Sequence, residues 1–286
     1  MSDVTLLFER LARVADGDVA PDPLANVPRT WLGDLPIALL DRAATADLMI
    51  AAAQSPVRRD RPLIMTSANG EVISRCRSDT TVAALFAYAD LISADGQPLV
   101  LASRWLGGPA LPERVATTDL FHDVAQRAER PGISFYLFGA TEEENRKACE
   151  QARTRFPRLN IVGRSHGYLD DAKIERRVAE IDALAPDILW VALGVPREQE
   201  FCLRFAGRLR HVRVIKTSGG LFNFLSGSRA RAPEWMQRIG LEWAFRVAQE
   251  PRRLFARYAL TSPHAIYLLA RSRSLARPFQ IAERRP

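Results

Sequence analysis

Short apolar runs alternate with longer amphipathic stretches over most of this 286-residue chain, and this alternation constrains the fold more than any other feature. Strands that alternate with helices are typical of a parallel sheet covered on both faces. We therefore expect an α/β fold, a Rossmann-like and mostly parallel sheet with helices on both faces. The pattern predicts strands at 62–67, 91–94, 133–139, 160–163, 187–194 and 212–218, with helices that include 80–89, 118–129, 142–156, 172–184 and 198–209.

Composition and charge divide the chain into three parts. Residues 1–30 form a polar leader rich in Pro, Asp and Ala, and the alternating pattern occupies 31–228. Residues 229–286 hold twelve Arg, no Lys and four Glu, whereas the chain before them holds 28 basic and 29 acidic residues. Such a tail indicates contact with nucleic acid, anionic lipid or a phosphorylated substrate, and composition does not choose among them.

Several protein classes lack their signals here. No apolar run approaches the ~18–20 residues of a membrane-spanning helix, and the first residues do not resemble a secretory signal, so we expect a cytoplasmic protein. No G-x-G-x-x-G follows a predicted strand and no G-x-x-x-x-G-K-[ST] occurs. An NAD-dependent oxidoreductase is therefore a minor alternative, and a P-loop NTPase lacks its phosphate-binding turn.

Metal and disulfide chemistry have little support. Cys76, Cys149 and Cys202 form neither a C-x-x-C pair nor a metal-ligand pattern with the four His, so we expect reduced thiols in the core. The D-x-D sequence at 16–18 lies in the leader, before the first predicted strand. We expect neither a metal nor another cofactor.

Small and polar residues follow the predicted strands, at the edge where parallel sheets bind ligands with free backbone N–H groups. Asp95 follows an apolar strand and is either a general base or a turn-forming residue before Gly96. Ser67 and Asn69 either bind sugar hydroxyls or cap the next helix. The residue pattern alone leaves both alternatives open.

The basic tail combines aromatic residues with arginines. Met236, Ile239, Trp243 and Val247 fall at helical spacing with arginines close by. Such a helix suits a membrane interface, although a packed helical pair with a solvated basic face has the same pattern. The tail contains no nucleic-acid-binding motif, and its guanidinium groups are equally suited to a diphosphate.

Eight segments occur together in one order from about Trp31 to Tyr258, and this set resembles the WecG/TagA/CpsF glycosyltransferases, family 26, which include GumM-like glucosyltransferases. The segments are TSANGEVI, ADGQPLVLASRWLG, LPERV, FYLFGATEE, VGRSHGYLD, PDILWVALGVPREQE, TSGGLFNFLSG and RAPEWMQRIGLEWAFRVAQEPRRLFARY.

The resemblance implies an inverting, metal-independent glycosyltransferase that moves a sugar from a UDP-sugar to a polyprenyl-diphosphate-linked acceptor in bacterial surface or exopolysaccharide assembly. It implies peripheral binding to the inner face of the cytoplasmic membrane, through a tail that also closes over the active site. Its GumM-like start favours glucose as the transferred sugar. An anionic membrane surface is then a partner, nucleic acid is not, and a homo-oligomer is compatible with the sequence.

The resemblance also carries residue roles onto this sequence. It implies that Asp95 is the catalytic base and that Arg246 acts on the diphosphate. The implied substrate-binding residues are Ser67, Asn69, Arg114, Gln199, Arg253 and Arg257. The expected nucleotide-binding residues are Asn223, from the resemblance, and the strand-end residues Gly139, Ala140, Gly194, Gly219 and Gly220, whose position alone equally fits turns.

One position departs from the family pattern. Asn223 stands where the family usually has Asp, so a charge-dependent role at that position is in doubt. The alternative from another class is a non-catalytic UDP-sugar-binding or membrane scaffold protein, which would keep the fold and the tail without needing Asp95.

Overall fold

A computed structural model of the chain describes residues 24–57, 59–106 and 109–271, except for the side chains of Arg238, Arg253, Ala256 and Arg257. The strands form one eight-stranded sheet in the order β1-β2-β4-β3-β8-β7-β5-β6. The predicted Rossmann-like, mostly parallel α/β fold is confirmed. The strands are β1 (Arg29–Leu32), β2 (Leu35–Ala38), β3 (Leu63–Ala68), β4 (Leu91–Ala94), β5 (Ser134–Gly139), β6 (Asn160–Ser165), β7 (Ile188–Ala192) and β8 (Val214–Thr217).

The helices of the sheet domain fill the connections between strands. They are α1 (Arg42–Gln54), α2 (Gly70–Ser78), α3 (Thr80–Ala87), α4 (Gln97–Trp105), α5 (Thr117–Ala128), α6 (Glu142–Arg155), α7 (Asp171–Leu184), α8 (Arg197–Phe205) and α9 (Leu221–Leu225). The predicted helix at 198–209 ends early, because a 3₁₀ turn over Ala206–Arg208 replaces its last part.

Side chains of the central strands alternate between two covered faces. In β7, Ile188 and Trp190 belong to the hydrophobic cluster that α1, α5 and α6 cover. Leu189 and Val191 belong to the opposite cluster, which α7 and α8 cover. Every β7 residue is buried, as expected for a parallel strand between two helical layers. A third cluster packs α2, α3 and α4 against the β1–β2–β4 side of the sheet.

One antiparallel hairpin was missed by the sequence analysis. β1 pairs with β2 through a turn at Gly33 and Asp34, both of which have positive φ. A Cβ added to Gly33 would lie 2.3 Å from Ile73 Cγ2, so the turn needs glycine there. Each hairpin strand has only four residues, which is too short for a reliable period-two pattern.

The described part of the tail contains α10 (Glu234–Arg238), α11 (Glu242–Gln249) and α12 (Pro251–Arg271). Gly240, with φ of 79°, separates α10 from α11, so the expected helical stripe from Met236 to Val247 is divided between two helices. α12 packs against α2 and α4. Leu269 is buried in their cluster, and Ser74 Oγ lies 2.9 Å from His264 Nδ1. No helix among the described residues is long and apolar enough to cross a membrane.

The thiols of Cys76, Cys149 and Cys202 are free and buried, as the sequence predicted. Burial raises the pKa of the Cys76 thiol to about 12 and also raises the pKa of the other two. These groups therefore pack as small apolar side chains.

Candidate active site

A cavity of about 560 Å³ opens at the carboxyl ends of β3, β4, β7 and β8, where an α/β sheet of this type binds its ligands. The tail supplies part of its wall through α11 and the start of α12. The predicted site residues that line this cavity are Ser67, Asn69, Asp95, Arg114, Ala140, Gly194, Gly219, Gly220, Asn223 and Arg246.

Asp95 directly follows β4, and its carboxylate faces the cavity. Oδ2 accepts hydrogen bonds from Thr117 Oγ1 at 2.9 Å and from Thr117 N at 3.3 Å. Oδ1 accepts one longer contact, from Arg114 Nη2 at 3.4 Å. The Asp95 side chain keeps 24% exposure. Oδ2 is therefore held by the protein, while Oδ1 is the better placed oxygen to accept a proton from a bound molecule.

Arg114 links the sheet domain to the tail. Its Nη1 lies 2.6 Å from Glu242 Oε2 on α11, and its Nη2 contacts Asp95. Burial acts to lower the pKa of Arg114, but the charges of Asp95 and Glu242 outweigh burial and raise it. The guanidinium is thus a permanent cation between one carboxylate from the core and one from the tail.

A second polar chain lies beneath Asp95. Lys216, on β8, is fully buried and donates hydrogen bonds to Ser67 Oγ at 2.8 Å and to the Thr217 carbonyl at 2.9 Å. Ser67 Oγ lies 3.3 Å from Thr117 Oγ1, which bonds Asp95. Burial lowers the pKa of Lys216 to about 8, although Asp95 and Glu198 act to raise it.

Gly194, Gly219, Gly220 and Ala140 line the cavity, but several of their backbone N–H groups already have hydrogen-bond acceptors. Glu198 Oε2 accepts hydrogen bonds from Gly194 N at 3.2 Å and Gly219 N at 2.8 Å. Ala140 N donates to the Ala192 carbonyl at 3.0 Å. These three N–H groups are therefore not free for an anion, contrary to our expectation for this sheet edge. Burial raises the pKa of Glu198, against the opposing effect of the Gly219 amide and Lys216.

Of the predicted residues that the structure describes in full, Gln199 and Gly139 do not line the cavity. Gln199 is buried behind it, and its amide nitrogen donates to Thr66 Oγ1 at 3.1 Å. Gly139 lies against β7, where an added Cβ would approach the Ala192 carbonyl oxygen to 2.2 Å. Gly139 thus allows the close approach of two strand ends, and Gln199 lies next to the buried Glu198.

Asn69 and Asn223 line the cavity and also have local structural roles. Asn69 Oδ1 accepts from Val72 N at 3.1 Å and caps α2, so the helix-cap alternative is confirmed for this residue. The amide of Asn223 donates to Glu144, whose carboxylate also closes the capping box of α6 with Thr141. A carboxylate is therefore present beside Asn223, on a neighbouring element.

Several arginines reach the cavity, each beside an acidic partner. Arg246, on α11, stacks on Phe224 with 5.0 Å between the guanidinium carbon and the ring centroid. Its Nε lies 3.9 Å from Glu242 Oε1. Arg229 Nε lies 3.0 Å from Glu250 Oε1, and Arg75 Nη2 lies 3.0 Å from Glu71 Oε1 on α2. The side chains of Arg253 and Arg257, which the sequence analysis also assigned to this site, lie outside the described structure.

Sequence reasoning missed several residues of the site. Thr117 and Lys216 lie outside the quoted family segments, and Glu198 and Glu242 lie inside them without an assigned role; the contacts of all four join distant segments. Lys216 had one usable signal, because a lysine inside the apolar run VIKT is unusual for a buried strand. Among the described residues, no cluster of three His, Cys, Asp or Glu side chains is arranged to hold a metal ion.

Comparison with known proteins adds independent findings. The sequence pattern of the family described as "Glycosyl transferase WecG/TagA/CpsF family" matches residues 30–278. The chain is 31% identical over 224 residues to the N-acetylglucosaminyldiphosphoundecaprenol N-acetyl-beta-D-mannosaminyltransferase of Bacillus spizizenii, covering 77% of this chain and 84% of that protein. It is 29% identical over 206 residues to the enzyme of the same name from Bacillus subtilis (strain 168), covering 69% and 78%.

Proposed function

The chain belongs to the WecG/TagA/CpsF family of glycosyltransferases, and we propose that it moves a sugar from a UDP-sugar to a polyprenyl-diphosphate-linked acceptor with inversion. The relatives named above support this acceptor class, because their names specify a diphosphoundecaprenol-linked N-acetylglucosamine. The observation that carries the proposal is the position of Asp95, which lines a cavity that Arg114, Arg229 and Arg246 also line.

In the proposed reaction, Asp95 is the general base. Oδ1 takes the proton of an acceptor hydroxyl, and the hydroxyl oxygen forms a bond to the anomeric carbon of the donor sugar. The bond between that carbon and the UDP oxygen breaks, and UDP leaves with the electron pair on the opposite face. A single displacement of this kind inverts the anomeric configuration, and a positioned base accelerates it by about 10² to 10⁴.

Charge that develops on departing UDP needs cations close by. Because the N–H groups of Ala140, Gly194 and Gly219 are already bonded, we assign this task to side chains instead. Arg246 and Arg229 approach from the tail. Their partners Glu242 and Glu250 hold them in the free protein, and a diphosphate would replace those carboxylates as the counter-ion.

Asn69, Ser67 and Asn223 stay candidates for sugar and nucleotide contacts, together with the cavity-lining Gly220. For Asn223 we propose a neutral contact with the nucleotide, since the neighbouring Glu144 supplies the carboxylate. Gln199 is proposed to act indirectly, because it is buried behind the cavity. Arg253 and Arg257 remain proposed diphosphate ligands from the sequence resemblance alone.

The donor experiment is a thermal-shift and turnover panel with UDP, UDP-glucose, UDP-galactose, UDP-N-acetylmannosamine and NAD. A ligand that binds only the folded state raises the melting temperature. We expect stabilisation by UDP and by one UDP-sugar, followed by transfer of that sugar to a short-chain polyprenyl-diphosphate acceptor. Stabilisation by NAD alone, or binding of a UDP-sugar without any transfer, would contradict the proposal, and the second result would favour a non-catalytic binding protein.

The panel also separates the two sugars that the sequence information favours. N-acetylmannosamine follows from the names of the two Bacillus relatives, whereas glucose follows from the GumM-like TSANG segment. The donor that gives transfer, rather than binding only, assigns the sugar.

We further propose that the tail, 229–286, holds the enzyme on the inner face of the cytoplasmic membrane, whereas 31–228 carries the transferase site. The outward side of α12 exposes large apolar groups, and Trp235 on α10 is 60% exposed. Phe255 is 67%, Leu260 76% and Ile266 62% exposed. Exposed aromatic and aliphatic groups among arginines favour adsorption to anionic lipid.

Vesicle sedimentation tests this part separately. Leu260→Ser together with Ile266→Ser should weaken binding to vesicles of phosphatidylglycerol and phosphatidylcholine, because less apolar surface enters the bilayer. Leu203→Ser is the matched control, since Leu203 is 53% exposed on α8, in the sheet domain. Equal sedimentation of the double variant and the wild type would exclude α12 as the membrane contact.

A further inference from the structure

Lysine is rare in this chain, and one of its lysines is buried under the active site. Only Lys147, Lys173 and Lys216 occur among the 40 basic residues. The side chains of Lys147 and Lys173 are 44% and 67% exposed on helices, whereas Lys216 has no exposure. Burying an ammonium group is costly unless its hydrogen bonds and charge are satisfied, so its position needs a reason.

Three hydrogen bonds connect Lys216 to Asp95, and the chemistry of these two end groups determines which atom donates in each bond. An ammonium group can only donate, so Lys216 donates to Ser67 Oγ. A carboxylate can only accept, so Thr117 Oγ1 uses its proton on Asp95 Oδ2. The contact between Ser67 Oγ and Thr117 Oγ1 must then run from Ser67 to Thr117. The result is a single ordered chain, Lys216 to Ser67 to Thr117 to Asp95.

Charges on two sides favour the ammonium form of Lys216. Asp95 follows β4 and Glu198 lies on α8, and both act to raise the Lys216 pKa against the larger effect of burial. Ser67 on β3 and the Thr217 carbonyl are its hydrogen-bond acceptors. With a pKa of about 8, Lys216 is mostly protonated at neutral pH and loses its charge in mildly alkaline solution.

We propose that Lys216 is a positioning residue for the catalytic base, acting through the ordered hydrogen-bond chain of Ser67 and Thr117 to hold Asp95 Oδ2. The inference rests on the proposed role of Asp95 as the base. The two oxygens of the Asp95 carboxylate then have different roles. The hydrogen-bond chain holds Oδ2, and Oδ1 faces the acceptor hydroxyl. Ser67, whose proton is committed to Thr117, then meets a sugar hydroxyl only as an acceptor.

The kinetic test removes single links from the chain. Lys216→Met should lower kcat by up to about 100-fold and leave the KM for the donor unchanged, because a misplaced base affects the chemical step. Thr117→Val should have an effect in the same direction, and Thr117→Ser should restore activity, because serine keeps the hydroxyl. Lys173→Met is the matched control on the surface.

Two further readouts distinguish this role from a merely structural one. The double variant Lys216→Met/Thr117→Val should lose little more than the worse single variant, because one break already interrupts the chain. The wild-type kcat should fall above about pH 8, because the neutral amine of Lys216 is a weaker donor to Ser67 than the ammonium group, and this alkaline decline should be absent from Lys216→Met. Full kcat in Lys216→Met, or independent losses in the double variant, would overturn the proposal.

A third measurement does not depend on turnover. With only three lysines, protein labelled with ¹³C-lysine gives separate NMR signals for the ε-methylene groups, and the signals of Lys147 and Lys173 serve as internal controls. Asp95→Asn should lower the titration midpoint of Lys216 alone, because the charge of Asp95 favours its ammonium form. The same Lys216 titration midpoint in Asp95→Asn and in the wild type would contradict the coupling between Lys216 and Asp95.

The NMR result keeps the two hypotheses apart. If no UDP-sugar is transferred by the wild type, the proposed function fails while the coupling of Lys216 to Asp95 can still be observed. If sugar transfer occurs but Lys216 titrates independently of Asp95, the positioning role fails and the glycosyltransferase activity stands.

Discussion

The sheet domain and the tail both line the cavity, but different interactions stabilise each of them. In the sheet domain, the strands below the cavity are almost wholly buried, and Asp95 accepts two hydrogen bonds from Thr117. In the described tail, few side chains are buried, among them Leu254, Ala265 and Leu269. The tail therefore depends more on local contacts and ion pairs than on a core of its own.

This difference separates two kinds of contribution to the active site. The buried sheet edge holds Asp95 by hydrogen bonds within the core, which suits its proposed role in proton transfer. The tail brings arginines that face the cavity together with their own counter-ions, Glu242 and Glu250. Because Arg114 contacts both Asp95 and Glu242, one guanidinium group couples the docking of the tail to the surroundings of Asp95.

The largest expected effect comes from the core side of the comparison. Asp95→Asn should reduce kcat by about 10² to 10⁴ and leave the fold intact, because it removes the base while retaining hydrogen-bonding capacity. Steady-state transfer assays and circular dichroism measure the two quantities. Asp34→Asn is the matched control, since Asp34 lies in an exposed turn at positive φ that Asn also tolerates. Near-normal turnover would reduce Asp95 to a turn residue.

On the tail side, Arg246→Gln should lower kcat by about 10²-fold, because a positive charge near the leaving diphosphate is lost. The melting temperature should change little, since the partly exposed Arg246 side chain makes only a 3.9 Å contact with Glu242 and a stack on the Phe224 ring. Arg271→Gln is the control, as Arg271 is exposed at the end of α12 and contacts Tyr267 rather than the cavity. Equal kcat values for the Arg246→Gln and Arg271→Gln variants would show that Arg246 of the tail does not contribute to the chemical step.

A smaller effect is expected where the two regions are joined. Glu242→Gln leaves Arg114 without its tail carboxylate, and we expect the free energy of unfolding to fall by about 1–3 kcal/mol. The tail should also become more accessible to limited proteolysis. Urea unfolding beside Glu200→Gln, an exposed acid of the sheet domain, measures the difference. A variant as stable and as protease-resistant as the control would show that the Arg114 contact does not hold the tail.

The smallest effect should come from the peripheral anchor of α12. Ser74→Ala removes the hydrogen bond to His264 Nδ1 and should cost about 0.5–1.5 kcal/mol, without a change in kcat. His264→Phe should cost a similar amount, and the double variant should show that the two losses are shared. A fall in kcat for Ser74→Ala would mean that the position of the tail controls catalysis more tightly than the comparison above assumes.

Much of the fold was predictable because local pattern and burial agree. The run that became β7 is apolar throughout, and the run that became β5 is apolar after Ser134; every residue in each strand is buried between two helical layers. The β1–β2 hairpin was not predicted, since its strands are short and their stability comes from pairing with the larger sheet. The predicted single helix from Met236 to Val247 was only partly right, because Gly240 separates α10 from α11.

Site residues that directly follow a strand could be predicted from the sequence. Site residues that depend on side-chain contacts between distant segments could not. Asp95 and Ser67 stand at strand ends, so the parallel topology alone brings them to one edge. The expectation of free backbone N–H groups was wrong for Gly194 and Gly219, because a buried carboxylate from Glu198 occupies them. Nothing in the local spacing of that segment indicates where the Glu198 side chain points.

By itself, the sequence determined the layered α/β architecture, the family and the strand-end position of the proposed base, because hydrophobic periodicity and ordered motifs are local or collinear properties. Only the tertiary structure connected Lys216 to Asp95 through Ser67 and Thr117, and paired Glu242 with Arg114. It also placed the Glu198 carboxylate on the N–H groups of Gly194 and Gly219. Each of these depends on the direction of a side chain across strands or helices distant in sequence. Such directions are set by packing and by the need to satisfy buried charge, which no single segment encodes.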